Sequence, residues 1–255
     1  MKTLFVHFSL RSPYTFAIAL LFAASALLTS CNKNDDEPGQ ENLITEDDAL
    51  DVIEGAMIVP SEGLGAEVES AIYLADEYAE KTITGNPCGE TFDSTTMRSV
   101  NYPNLTASYT STWEWTVICN NANIPSALDL SRTAAGTYET ARLLSDDSAG
   151  STLNVSNLIL GDNYVINGGY GRQGSQESKV RNHSAFSSLL TVDVTDLNVD
   201  KGTHSIQSGA ATFTLTLTLS GPQSGSQTFE GSIVFNGGGS ATITINGNSY
   251  TVDWF

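Results

Sequence analysis

Three thiols are the most reactive side chains in the sequence: Cys31, Cys88 and Cys119. A thiol can take an acyl group, ligate a metal or pair with another thiol, and its setting decides which. No C-x-x-C is present, so a redox pair or a zinc site is not indicated. Cys31 ends an apolar run. Cys88 and Cys119 are an even pair, and in an oxidising compartment a disulfide between them is the default. Gly169-Tyr170-Gly171-Arg172-Gln173-Gly174 matches G-x-G-x-x-G. A dinucleotide site needs that pattern to open a helix within a βαβ unit. Here it runs into Ser, Gln, Glu and Lys and then another strand, so a flexible loop is expected. Arg172, Lys179, Arg181 and His183 cluster in that stretch and could seat an anionic ligand or an acidic glycan; a solvated hairpin tip would have the same composition.

Other groups are weaker signals. Trp113 and Trp115, with Tyr102 and Tyr109, would stack on sugar rings if they faced outward, but alternation with Thr112, Glu114 and Thr116 favours a core. Asp146-Asp147 and Asp162-Asn163 are oxygen-rich turn clusters without the spacing of a calcium loop, so no metal and no cofactor is expected. H-E-x-x-H and G-x-S-x-G are both missing from the sequence. A glycosidase needs only two well-separated carboxylates, and no pair stands out. The expectation is a protein that is not an enzyme.

Stepping outward from Cys31, Lys2 and Arg11 precede an apolar stretch from Tyr14 to Leu28. Basic, then apolar, then small is the layout of a secretory signal peptide, and about 15 apolar residues is short for a span of about 20. Leu28-Thr29-Ser30-Cys31 resembles the lipobox of bacterial lipoproteins. The resemblance implies cleavage before Cys31, a diacylglycerol thioether on its sulfur and further acylation such as palmitate. Two or more chains give stable anchoring at about 0.8 kcal/mol per buried methylene. Asn32-Lys33-Asn34-Asp35-Asp36-Glu37 resembles the export tag of Bacteroidota surface lipoproteins, which implies display on the outer face of the outer membrane. An acidic solvated tether is the plainer reading of the same residues.

Charge divides the chain. Its net charge of −18 becomes −20 without residues 1–30, which carry Lys2 and Arg11 and no acid. Nucleic acid is thereby excluded as a partner, since that affinity rests on basic groups. Residues 35–90 hold 16 of the 29 acids, opposed only by Lys81, whereas residues 91–255 hold 13 acids and 7 bases. Two regions of different physics follow.

The first region is helical by period. Thr45 is an N-cap signal with acids behind it, and Ala49, Leu50, Val52, Ile53, Ala56 and Met57 recur at helical spacing until Pro60. A second helix is expected from about Leu64 to Lys81, with Val68, Ala71, Ile72, Ala75, Tyr78 and Ala79 along one stripe and Gly85-Asn86-Pro87 as its stop. This hairpin has an apolar face for docking and a strongly acidic face.

From Cys88 the period becomes two. Phe213, Leu215, Leu217 and Leu219 alternate with threonines, and the same period of two runs through Phe229 to Phe235, Ala241 to Ile245, Tyr250 to Trp254 and Trp113 to Cys119. Asn246-Gly247 is a tight hairpin signal and Asn236 to Gly239 a looser one. Across a turn centred on Pro103-Asn104, facing residues have numbers summing to 207, as do 88 and 119. A strand from Cys88 to Asn101 paired with one from Thr106 to Cys119 would therefore bring the two sulfurs together.

The predicted organisation is signal peptide 1–30, acidic tether 31–43, helical hairpin 44–85 and β domain 86–255. The fold class is mainly β: an antiparallel meander of about ten strands, as a sandwich or a barrel. The whole resembles uncharacterised Bacteroidota lipoproteins whose Thr/Ser-rich β domains end in hairpins like Ala241-Thr242-Ile243-Thr244-Ile245-Asn246-Gly247. That resemblance implies outer-membrane anchoring through N-terminal acyl chains and brings no activity with it. Asp93-Ser94-Thr95 and Asp147-Ser148-Ala149 resemble Bacteroidota O-glycosylation sequons, which implies glycans on Ser94 and Ser148. The expected function is a non-enzymatic binding or adhesion module, with glycan as a candidate ligand. The alternatives are a lipocalin-like carrier of a hydrophobic ligand and, behind it, a carbohydrate-active enzyme.

Overall fold

The computed structural model describes residues 44–80, 87–181, 183–220 and 224–253. Cys31, the tether, Lys81, Gly85, Asn86 and Trp254 lie outside them. Helix α1 spans Glu46–Met57, a 3-10 turn follows at Val59–Ser61, and helix α2 spans Leu64–Glu80. Thr45 caps α1 as its sequence implies. Its hydroxyl accepts from the Asp48 amide, and the Asp48 carboxylate accepts from the Thr45 amide, satisfying two donors that a helix start otherwise leaves open. Pro60 falls in the 3-10 turn, where its missing N–H costs nothing.

Ten strands follow: β1 Thr91–Tyr102, β2 Leu105–Cys119, β3 Pro125–Thr140, β4 Leu143–Ser156, β5 Asn163–Ser178, β6 Ala185–Asp200, β7 Ile206–Leu219, β8 Ser226–Gly237, β9 Ser240–Ile245 and β10 Asn248–Asp253. They make one antiparallel meander in sequence order. The sheet is not closed into a barrel. In place of a second sheet, the two helices cover its inner face.

The register at the first hairpin is the one set by the cysteines. Thr91 faces Thr116 and Tyr102 faces Leu105. Cys88 is bonded to Cys119 at the open end, with their Cα atoms 5.4 Å apart. The Asn246-Gly247 turn has both residues at positive φ, 50° and 91°, as a type I′ hairpin requires.

Alternation places the apolar residues inward. Phe213, Leu215, Leu217, Phe229, Ile233, Ile243 and Ile245 are buried from the sheet, and Val68, Ala71, Ile72 and Ala75 from α2, in a single cluster. Trp113 belongs to it, 5 % exposed, as its alternation implies. Residues from the β1–β2 and β3–β4 turns and from β10, at the far edge of the sheet, line one cavity with α1, so the sheet curls around that helix. Glu46 is tied to β10, accepting from the Tyr250 hydroxyl at 2.5 Å. No helix among the described residues is long and apolar enough to cross a membrane.

Candidate functional site

Two regions differ from the ordinary core-and-surface pattern: a charged network under the helices and a hollow on the outer face.

The network begins with α1, α2 and the turn between them. The sequence suggests a solvated acidic face here, but Asp48, Asp51, Glu62 and Glu67 are buried. They meet arginines from the sheet. Arg132 of β3 donates Nη1 to Glu67 Oε1 at 2.6 Å and Nη2 to Ser111 Oγ at 2.6 Å, and it pairs with Glu62 through Nη2. Ser151 donates to the other Glu67 oxygen at 2.6 Å. The guanidinium lies 4.9 Å from the centre of the Trp113 ring. Burial pushes the Glu67 carboxyl up; the Arg132 charge and the Ser151 hydroxyl oppose it. Glu62 sits at φ 54°, a left-handed conformation that turns its side chain back under the sheet.

A second buried guanidinium, Arg172, lies two strands away. It donates to Asp147 Oδ2 at 2.9 Å, to the Tyr109 hydroxyl at 2.6 Å and to the Gly55 carbonyl of α1 at 3.0 Å. Tyr109 and Ser145 donate in turn to Asp147 at 2.9 and 2.6 Å. Burial raises the Tyr109, Tyr138 and Tyr170 phenols, Tyr170 to about 12, so all three are neutral, and Tyr109 is the one that donates to Asp147. Gly55 is required here: a Cβ would lie 2.1 Å from the Tyr138 hydroxyl. Further out, Arg142 Nε meets Asp51 at 2.6 Å, Arg181 Nε meets Asp48 at 2.8 Å, and Arg98 bridges Glu62 and Glu69 at 3.1 and 3.4 Å.

These contacts revise the expected ligand loop. Arg172 is not on a loop; residues 169–174 are mid-strand in β5, and Arg172 is 5 % exposed. Lys179 and Arg181 follow the strand end, where Lys179 pairs with Glu139 at 2.7 Å and Arg181 with Asp48 and Asp51. His183 is exposed at φ 50°. The four do not converge on a common anion position. Asp146 and Asp147 likewise stand in β4 rather than a turn, with Asp147 serving Arg172. Lys201 Nζ donates to the carbonyls of Asn157, Leu158, Leu160 and Gly161 at 2.6–3.2 Å. All seven bases of residues 91–255 are therefore engaged within the molecule.

The hollow lies on the opposite side of β2–β6. Two adjoining depressions of about 510 and 690 Å³ share Glu114, Ser131 and Thr152. The register runs Glu114–Ser131–Thr152–Gly169–Asp193 in one row and Thr112–Thr133–Gly150–Gly171–Thr191 in the next. Four interstrand steps of about 4.8 Å give a length of roughly 19 Å. Its floor is glycine, and the protein's own packing does not require it. A Cβ on Gly150, Gly169 or Gly171 would find its nearest neighbour at 3.5, 4.0 or 3.6 Å, which is ordinary contact. Glycine weakens a strand, and inside one it marks a bulge, a tight bend or close approach by a ligand or another backbone; the one register shift of the β5–β6 pair lies at Ile166/Gly168, outside these three positions. The G-x-G-x-x-G glycines thus separate by parity. Gly169 and Gly171 face out to the hollow, while Gly174 faces in, where a Cβ would meet Asp147 Cβ at 2.4 Å.

Tyr102 is exposed, and Trp115 is half-buried and stacked on Phe92, with its Nε1 donating to Tyr78 at 3.1 Å. The aromatic group as a whole therefore makes no outward platform. Ser94 and Ser148 are half-buried and mid-strand, in β1 and β4. Among the described residues no group of three or more His, Cys, Asp or Glu side chains could hold a metal ion. No family model, no curated protein and no solved structure matches the chain.

Proposed function

We propose that this is a lipid-anchored β module of the outer membrane, held through acyl chains on Cys31 and facing outward, that binds a hydroxyl-rich chain such as a glycan and performs no reaction. The observation that carries the binding is the glycine-floored hollow across β2–β6. Its walls are Thr112, Ser131, Thr133, Thr152 and Thr191 with Glu114 and Asp193 at the two ends of one row. Hydroxyls and carboxylates are the donors and acceptors that sugar hydroxyls satisfy. The length suits several linked rings better than one small molecule.

Arg172, Lys179 and Arg181, which would have favoured an acidic glycan, are paired with acids of the protein itself, so the ligand class moves to neutral chains. The carrier alternative needs an empty apolar lumen. Here the inner face is occupied by Val68, Ile72 and their neighbours on the helices. The anchor rests on the resemblance at Leu28–Cys31, and surface display on the acids that follow it.

Three experiments test this reading. Clickable palmitate should mark the wild type and not Cys31→Ala, and protease shaving should remove the protein from intact cells. A glycan array probed with the full chain should give hits among neutral glycans that Gly171→Val and Gly150→Leu abolish while thermal unfolding stays unchanged. Equal array signals from the filled variants would refute the hollow as the site. Equal labelling of Cys31→Ala would refute the anchor.

A further inference from the structure

A separate cavity of about 360 Å³ opens where the sheet fails to close. It lies between the second half of α1, the β1–β2 and β3–β4 turns, and the edge strand β10. That volume is within the usual range for small-ligand sites. Its apolar lining residues are Met57 at the end of the helix, Ile58 beyond it, Ala141 of the β3–β4 turn and Val252 of the edge strand. Met57 is 2 % and Val252 8 % exposed, so both are packed into the core behind the cavity wall, and Ile58 is the more accessible.

The charged groups on the cavity wall are unequal. Asp51 and Arg142 neutralise one another at 2.6 Å, and Arg181 adds to the same carboxylate. Glu54 is a half-buried carboxylate on the wall, and Asp253 adds a second at the rim. Burial holds the Glu54 carboxyl above its ordinary value, with the Asp51 charge adding to the rise and Arg142 opposing it. A cation placed beside Glu54 would relieve that cost, whereas an anion would add to it. The surplus sign of the cavity is negative, and its floor is apolar.

We infer that this seam cavity is a binding site for an aliphatic ammonium group, with the cationic head on Glu54 and the alkyl part against Met57, Ile58 and Val252. The site is independent of the outer hollow, on the other side of the sheet. It takes a head and tail together: a neutral alcohol of the same chain would lose the head, and a carboxylate would be repelled.

The test uses hexylamine, hexanol and hexanoate as probes on the full-length chain. Calorimetry at pH 7 should give saturable binding of hexylamine, at least tenfold weaker binding of hexanol, and none of hexanoate. Glu54→Gln should weaken hexylamine at least tenfold. Methyl NMR should show the Met57 resonance shifting with hexylamine while Met97, 84 % exposed on β1, stays still. Hexanoate binding as tightly as hexylamine, hexylamine unaffected by Glu54→Gln in a variant that melts cooperatively, or a static Met57 signal would each overturn the assignment.

Discussion

Arg132 is the position at which the architecture can be tested most severely. Its side chain is 1 % exposed and that of Glu67 is 0 %. Arg132→Met keeps the volume and the contact with Trp113 but removes the partner of two buried carboxylates. Glu67 would retain only the Ser151 hydroxyl, and Glu62 only Ser111 and the half-exposed Arg98. Breaking a buried pair from one side costs about 3–5 kcal/mol. Against a typical total of about 5–15 kcal/mol that is a large fraction. At about 2–4 °C per kcal/mol for a domain of this size, Tm should fall by roughly 6–20 °C. The loss has a pH signature. Glu67 already has a raised pKa from burial, and losing Arg132 raises it further. A carboxyl whose folded pKa exceeds its unfolded value of 4.5 costs stability above the folded pKa and ceases to cost it below the unfolded one. The penalty of Arg132→Met, read from urea unfolding by circular dichroism, should therefore be larger at pH 7 than near pH 4.5. Adding Glu67→Leu and Glu62→Gln should recover most of it at pH 7, because the two changes remove both uncompensated buried charges. A penalty below about 1 kcal/mol, or one equal at both pH values, would refute the claim that Arg132 compensates carboxylates buried between the helices and the sheet.

Three further outcomes follow from the same structure. Replacing both Cys88 and Cys119 with Ser should lower stability by roughly 3–4 kcal/mol on the loop-entropy model, measured as a shift in urea midpoint at constant slope. Lys201→Met leaves four loop carbonyls without their common donor and should cost about 1–3 kcal/mol, with new proteolytic cleavage between Asn157 and Asp162 as the local readout. Glu54→Gln should raise Tm at pH 7 and leave it unchanged at pH 4, since the folded state raises the Glu54 pKa and its ionised form is the one that destabilises. A Glu54→Gln protein less stable than the wild type at pH 7 would contradict that sign.

Periodicity made the elements legible because each is governed by local rules. The period-two run from Thr212 to Leu219 needs one apolar face and one wet face, and β7 has both. The Thr45 capping box and the Asn246-Gly247 turn depend only on neighbours in sequence, and both formed. The Cys88–Cys119 register was readable because a tight turn and a bond at the far end fix the same sum. Sheet closure was not readable, since it depends on curvature accumulated over ten strands rather than on any one of them. The hollow was invisible for a related reason. Gly150 and Gly171 are 21 residues apart and become a floor only once β4 pairs with β5. The local signal around Gly171 resembled that of a flexible loop.

The network escaped sequence reasoning because charge was counted separately in each region. Glu62 and Glu67 look solvent-directed on an acidic helical segment, and Arg132 and Arg172 interrupt strands at positions whose parity points inward. Parity was the available signal: an arginine in phase with Leu128 and Leu130, as Arg132 is, must either break the strand or meet an acid under the sheet. Four of the five arginines beyond residue 90 meet acids between Asp48 and Glu69. The acid excess in the helices and the arginines of the sheet are thus two halves of one interface, and the asymmetry along the chain is the sequence signature of the helices' seat. An apolar stripe alone could slide on a smooth aliphatic face, whereas paired charges with fixed hydrogen-bond geometry admit one register. The stability given up in burying them is the cost of that single placement, and it is why replacing the whole set with apolar side chains should leave the protein stable while removing the preference for one seat.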